Sequence, residues 1–353
     1  MFLFNKKIIG GKRLDYFPFK KKFINNNFNE NYQKNLEKTN YSQYFFSRSL
    51  HGLKSIVLSY KDKQSLTVFL PSHICNTVIN CLKELKDIDI VLYLSNKDLC
   101  LQLRRNKSGF NLVLIIDYLG ITQSSISHKN RNTHYILDLA NSFFSIDRLL
   151  ELKKKYHYIM VSFRKFLPVP DGAVVYTQMN KLKRIKPKFK FFLLWRIMII
   201  LDQFYIFQLI ADKFNLKNIF FNYHENNFAN DESCSIFSLK VFTKASLSEI
   251  LKIRIGNFNS YKIFFEALKV NYKKNNISTD NLKSKIYPLY FPFSSTNHKR
   301  LNKYLIKNKL FCPIFWQDSP SNIKFIGLPL DDRYNESDIH VSVMRLKSYI
   351  HHD

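Results

Sequence analysis

The stretch 158–176, YIMVSFRKFLPVPDGAVVY, decides the fold. A short apolar run at 158–161 ends in Ser162, Lys165 follows three positions later, a turn carries Pro168, Pro170, Asp171 and Gly172, and a second apolar run covers 173–176. Short β-branched and apolar runs bounded by turn residues read as strands. Working outward, the same kind of run recurs at 66–70, 88–93, 112–117 and 135–139. Strands that are apolar almost throughout, rather than in alternation, indicate a sheet buried on both faces and therefore a parallel α/β core. After the run at 66–70, Pro71 and Ser72 open a stretch in which Ile74, Val78, Leu82 and Leu85 recur at helical spacing, so strand leads into helix.

The 353 residues suggest two domains, with 46% hydrophobic and 16% aromatic content ample for buried cores. Residues 1–40 are rich in Lys and Asn, include the run Lys20, Lys21 and Lys22, show no sustained period and read as an N-terminal arm. Residues 41–230 form the large α/β domain, closed by the polar loop HENNFAND at 224–231. Residues 231–353 form a smaller C-terminal α+β domain, with helices at 245–268, 298–308 and 336–349 and an extended segment at 285–291. Ile339, Val343, Leu346 and Ile350 lie on one side of the last helix. No repeat of 20–50 residues is visible.

Fifty-five Lys and Arg against 27 Asp and Glu give a net charge of +28, which favours anionic partners: nucleic acid, a membrane surface or phosphate-bearing small molecules. AT-rich codons also produce an excess of Lys, Asn, Ile, Phe and Tyr, so the charge alone does not select among them. The eight glycines form neither GxGxxG nor GxxxxGK[ST], which removes the dinucleotide fingerprint and the P-loop. Five cysteines without a CxxC pair fit free thiols in a reducing cytoplasm, and with no HExxH motif no metal site is expected. The start, MFLFNKKIIGGKR, becomes charged after four residues and lacks the apolar core of a secretory signal, so a cytoplasmic location is expected. The most apolar stretch, 189–211, is interrupted by Lys190, Arg196 and Asp202 and does not read as a membrane span. Its burial against the domain or a second subunit is favoured. Peripheral contact with an anionic membrane is the alternative, given Lys181, Lys183, Lys186, Lys188 and Lys190 just upstream.

Three features fall at the C-terminal ends of expected strands, where ligands bind in open α/β sheets. They are Asp138 in ILDLANSF, Ser162 with Lys165 in SFRKFLPVPDGA, and the turn Ser47-Arg48-Ser49 before a helix-like stretch at 50–58. A carboxylate at a strand end, followed 27 residues later by a lysine, suits pyridoxal 5'-phosphate. The aldehyde of that cofactor needs a partly desolvated lysine near other cations, and Arg164 is such a neighbour of Lys165. Its pyridine nitrogen needs a carboxylate, the part Asp138 would play. Its phosphate needs hydroxyls and helix N-terminal N–H groups, which Ser162 and the Ser47-Arg48-Ser49 turn could supply.

With these residues in place, the sequence resembles the fold type I pyridoxal-phosphate-dependent enzymes, specifically the DegT/DnrJ/StrS group of nucleotide-sugar aminotransferases. The resemblance runs from IGGKRLDYF near the start to LPLDDRY and the last helix. It passes through FSRSLHGL, LPSHICNT, IIDYLG with Gly120, Asp138-Leu139-Ala140-Asn141 as D-x-A-[QN], and SFRKFLPVPDGA, which looks like an S-x-RK-x-x-x-x-PDG segment. It implies an α/β fold with a mostly parallel central sheet and a smaller C-terminal domain. It implies Lys165 as the Schiff-base lysine and Asp138 as the pyridinium partner. Ser162, Ser47, Arg48 and Ser49 would surround the phosphate, with Asn141 beside the cofactor, and the enzyme would be a homodimer. Many members place the serine five residues before the lysine and follow it with an EGG turn, whereas here the spacing is three and the turn reads PDG. Where an aromatic that stacks on the ring is expected, this chain has His73-Ile74-Cys75, which makes His73 the candidate. The activity implied is amino transfer from a donor such as glutamate to a nucleotide-linked keto-sugar for surface glycan synthesis. Sugar dehydratases of the same group lack the lysine, so Lys165 argues against that chemistry. A member with other or lost activity is one alternative, and a basic nucleic-acid-binding protein is another. The basic clusters are dispersed and no RRM, helix-turn-helix or zinc-finger pattern joins them, which disfavours the latter.

Overall fold

A computed structural model describes residues 9–10, 37, 40–60, 65–94, 99, 103, 109–118, 132–142, 149, 152, 155–179, 182–190, 232–268, 289–293, 295, 297–315 and 325–350. The centre is a seven-stranded sheet. In chain order its strands are β2 (Ser42–Phe46), β3 (Leu66–Pro71), β4 (Ile88–Tyr93), β5 (Phe110–Ile116), β6 (Thr133–Asp138), β7 (Tyr158–Val161) and β8 (Ala173–Thr177). They lie in the order β2-β8-β7-β6-β5-β3-β4. All neighbours run parallel from β7 to β4, while β8 is antiparallel to both β7 and β2. The mostly parallel sheet expected from the apolar runs is present.

Alternation along the strands divides the sheet between two cores. Val68, Leu70, Leu112, Leu114, Ile136, Tyr158, Met160 and Val175 pack with α1 (Ser49–Leu58) and α2 (Asn76–Lys83). Phe69, Val113, Ile115, Leu137, Ile159, Val161 and Val174 face the other way. That core continues into α3 (Ile236–Lys244), α4 (Leu247–Ala267), β9 (Tyr290–Phe293), α5 (His298–Lys307), β12 (Phe325–Pro329) and α6 (Glu336–Ile350). β9 and β12 form a three-stranded antiparallel sheet with β11 (Ile314–Phe315). The short strand β1 (Ile9–Gly10) pairs with β10 (Leu310–Phe311), so the start of the chain joins the C-terminal part.

One local reading is corrected, and two elements are added to those expected. Pro71 does not open the following helix. It is the last residue of β3, opposite Tyr93, and the Ser72 N–H continues the ladder onto the Tyr93 carbonyl at 2.8 Å, which delays α2 to Asn76. The helix expected at 245–268 is preceded by a separate one, α3. The two are divided where Ala245 turns extended (φ −73°, ψ 129°), and α3 is capped by the Ser235 side chain accepting the Ser238 N–H. The segment 42–46, not read as a strand from the sequence, is strand β2. The polar loop at 224–231, Lys20, Lys21, Lys22, Gly120 and the apolar stretch from 191 to 211 lie outside the described residues. Among the described residues no helix is long and apolar enough to cross a membrane.

Gly172 is required by its conformation. Its φ of +130° suits glycine, and a Cβ there would meet the ring of Phe163 at 1.9 Å. Gly172→Ala should therefore lower unfolding free energy by more than about 2 kcal/mol in urea titrations. Gly256→Ala, in α4 where nothing lies within 4 Å of an added Cβ, should raise it by about 0.5–1 kcal/mol.

Candidate active site

The C-terminal ends of β2, β5, β6 and β7 meet at one edge of the sheet. Asp138 closes β6 opposite Met160 of β7, and the Leu139 N–H donates to the Met160 carbonyl at 2.8 Å. Asp117, just past β5, donates its N–H to the Asp138 carbonyl at 3.0 Å. From β7 the chain passes through Ser162 into a single 3₁₀ turn, Phe163–Lys165, whose Lys165 N–H reaches back to the Ser162 carbonyl at 3.2 Å. This turn aims the Lys165 amine across the end of β6, where Nζ donates to Asn141 Oδ1 at 2.7 Å. Asp138, Asn141 and Lys165 thus form one cluster. The lysine comes from β7, and both partners come from the end of β6.

Both charged members of the cluster are driven toward neutrality. Burial pushes the Asp138 carboxyl up, opposed by the positive charge of Lys165 and by the Ala140 N–H that donates to Oδ1 at 2.7 Å. Burial likewise pushes the Lys165 amine down to about 8, with Asp138 pulling it back up, Arg164 pushing it further down and Cys75 acting weakly upward. At pH 7 an amine of that pKa is neutral about one time in ten, far more often than an exposed lysine. Both side chains keep part of their surface open, so the cluster is desolvated without being sealed.

The serine turn reaches the same edge from the other side. Phe46 of β2 pairs with Ala173 of β8, and β8 lies beside β7 with Val174 opposite Val161. The Gly172 N–H donates to the Ser47 carbonyl at 2.7 Å, and the Arg164 N–H donates to the Gly172 carbonyl at 3.2 Å. A chain of backbone bonds therefore links the Ser47 turn to the lysine turn. Arg48 caps α1 in extended conformation (φ −141°, ψ 152°) and Ser49 is the first helical residue. The helix brings N–H groups and the positive end of its dipole to this corner. Ser47 and Ser162 are both buried.

His73, between β3 and α2, packs on Tyr118. Its ring lies tilted against that of Tyr118 at 5.2 Å, and the Tyr118 hydroxyl donates to the His73 carbonyl at 2.7 Å. Burial lowers the His73 imidazole to about 4, so it is uncharged at neutral pH. Tyr118 was missed in the sequence. Its hydroxyl is pushed up by burial and then by the charge of Asp138, which places an aromatic ring beside the cluster. The signal was present in IIDYLG, where the tyrosine stands two positions after the last residue of β5. His51 was also missed. One helical turn after Ser47, its Nδ1 lies 2.7 Å from Ser47 Oγ. If Nδ1 carries the ring proton, Ser47 accepts that bond and keeps its own hydroxyl proton for a ligand.

The arrangement can hold a carbonyl compound on a part-neutral lysine, keep a proton on a ring nitrogen with a carboxylate, and bind an anion at the head of α1. The donor set fits pyridoxal 5'-phosphate. Among the described residues no cluster of His, Cys, Asp and Glu could hold a metal ion.

No protein-family model and no curated protein matches the sequence. Solved structures do match. A Bacillus cereus protein described as a PLP-dependent aminotransferase aligns over 93% of both chains at 12% identity and a TM-score of 0.55. Serine palmitoyltransferase from S. paucimobilis, with bound PLP, aligns over 97% of this chain and 79% of its own at 11% identity and a TM-score of 0.58. 8-Amino-7-oxononanoate synthase from Francisella tularensis aligns over 99% of both chains at 14% identity and a TM-score of 0.52. The chain has the fold of the fold type I PLP-dependent transferases.

In the cofactor-free chain, acylation of the Lys165 amine by a small reagent, followed by peptide mass spectrometry, should titrate with a midpoint near 8. Asp138→Asn removes the anion that holds the amine up, so its midpoint should fall by about one pH unit. A midpoint at the ordinary lysine value in both proteins would contradict the assigned electrostatics.

Proposed function

We propose that the protein is a pyridoxal-phosphate-dependent aminotransferase that moves an amino group from an amino-acid donor, glutamate by family analogy, to a nucleotide-linked keto-sugar in glycan synthesis. The observation that carries the enzymatic reading is the Lys165 amine, pushed down to about 8 by burial and 2.7 Å from Asn141 beside Asp138. The sugar substrate is supported by the motif resemblance, above all SFRKFLPVPDGA and Asp138-Leu139-Ala140-Asn141.

Bound pyridoxal phosphate supplies an electron sink for the carbanion formed at the donor carbon. Lys165 would be the residue that holds the cofactor. An amine that is neutral part of the time is suited to take up and give back a proton, so Lys165 Nζ would serve as the acid–base group at the donor carbon. Asp138 would keep a proton on the ring nitrogen of the bound cofactor. Asn141 orients the Lys165 amine from its other side. Ser162, Ser47, Ser49, Arg48 and the N–H groups of α1 bind the phosphate, and His51 orients the Ser47 hydroxyl. Tyr118, whose hydroxyl feels the charge of Asp138, and His73 packed on it would offer rings to the cofactor. The active form is a homodimer in the cytoplasm, with light scattering as the direct check of its mass.

Full-length protein loaded with the cofactor should show a visible absorbance band, and Lys165→Ala should lose it. Asp138→Ala should keep part of the bound cofactor through the phosphate contacts, yet slow the half-reaction with glutamate by at least about 10²-fold. A Lys165→Ala protein with an unchanged band, or Asp138→Ala with unchanged half-reaction rates, would contradict these roles. Amination of a nucleotide-linked keto-sugar, and not of free keto acids alone, distinguishes the sugar substrate.

A further inference from the structure

Asp171, six residues after Lys165, is buried and gathers ligands from two separate segments. Its Oδ1 accepts the hydroxyls of Ser235 and Ser238, both at 2.6 Å. Its Oδ2 accepts the Ser235 N–H at 3.0 Å and the Lys190 ammonium at 3.2 Å. The Lys190–Asp171 ion pair is almost wholly buried, with side-chain exposures of 5% and 3%, and Lys190 also donates to the Ser233 carbonyl at 2.5 Å. Ser235 is the N-cap of α3, so the carboxylate closes on the head of that helix. The same helix holds the lysine turn a second time, because Phe163 stacks on Phe242 at 4.4 Å with the rings 19° apart.

Replacing a buried ion pair by apolar groups is often neutral or stabilising, so a pair kept in the interior is better explained by what it positions than by net stability. Next to Asp171, Gly172 donates to Ser47 and accepts from Arg164. The carboxylate therefore sits where α3, the Lys190 strap, the serine turn and the lysine turn converge. We propose that Asp171 is a positioning residue whose bonds to Ser235, Ser238 and Lys190 hold the Lys165 turn against the end of β6. Its importance for catalysis rests on the function proposed above, whereas its effect on the placement of Lys165 does not.

The readout is the pH midpoint for acylation of Lys165 in the full chain without cofactor, alongside thermal stability. The groups that face the amine are Asp138 and Asn141 from the end of β6, Arg164 from its own turn and Cys75 from the start of α2. Burial is the largest influence on the amine, so a loosened turn should raise its midpoint by about one pH unit even as contact with Asp138 weakens. Asp171→Asn should lower the melting temperature and raise the midpoint. Adding Lys190→Met removes the stranded ammonium and should restore the melting temperature while the midpoint stays raised. An unchanged midpoint in Asp171→Asn, or recovery of both readouts in the double variant, would overturn the proposal. If Asp171→Asn does not fold, Ser235→Ala/Ser238→Ala keeps the ion pair and removes two of the ties. It should give a smaller shift in the same direction, and no shift would again overturn the proposal. Failure of the wild-type chain to capture pyridoxal phosphate would count against the function alone, since the acylation midpoint is read without it.

Discussion

The parallel register that sets Asp138 opposite Met160 places the end of β6 beside the start of the lysine turn, and this single pairing brings a carboxylate and an amine from distant parts of the chain into one cluster. Parallel strands need crossovers, so their C-terminal ends share one edge and every segment leaving that edge contributes to it. β5 delivers Asp117 and Tyr118 there, and β6 delivers Asp138 and Asn141. β7 delivers Ser162 and Lys165, while β2 delivers the serine turn through its pairing with β8. A one-residue slip between β6 and β7 would turn Asp138 to the opposite face of the sheet and dissolve the cluster.

Desolvation then gives the cluster its chemistry. Burial drives the Asp138 carboxyl up and the Lys165 amine down, while each charge supports the other. The balance leaves the amine near 8, where both the neutral and the protonated forms are accessible around physiological pH. A fully exposed lysine would be almost always charged, and a sealed one without Asp138 would rarely hold a proton. Partial opening of both side chains keeps the cluster reachable from solvent.

The strands, and the placing of Asp138 and Lys165 at their ends, were legible because continuous apolar runs and chemistry-bearing residues that follow them are local signals. Six expected runs became β3, β4, β5, β6, β7 and β8 within a residue or two at each end. What was not legible depends on distance along the chain. Asp171 read as part of a turn motif, because its partners Ser235 and Ser238 lie 64 and 67 residues away and nothing in PDG announces them. α3 was missed because its short apolar run does not separate helix from strand, and its serine cap is fixed by the distant carboxylate. Tyr118 stands in IIDYLG, but a tyrosine two positions past a strand carries no local mark of its ring contact with His73, which lies 45 residues earlier. The structure puts the two rings in contact, so the two segments contribute to one surface.

The central claim is that Lys165, and no other of the chain's many lysines, carries pyridoxal phosphate. Loading the full chain with the cofactor, reducing with borohydride and mapping the modified peptide by mass spectrometry tests it most directly. The account predicts a single stoichiometric adduct on the peptide containing SFRKFLPVPDGA, at Lys165. An adduct spread over several lysines, or concentrated at one outside that peptide, would contradict it.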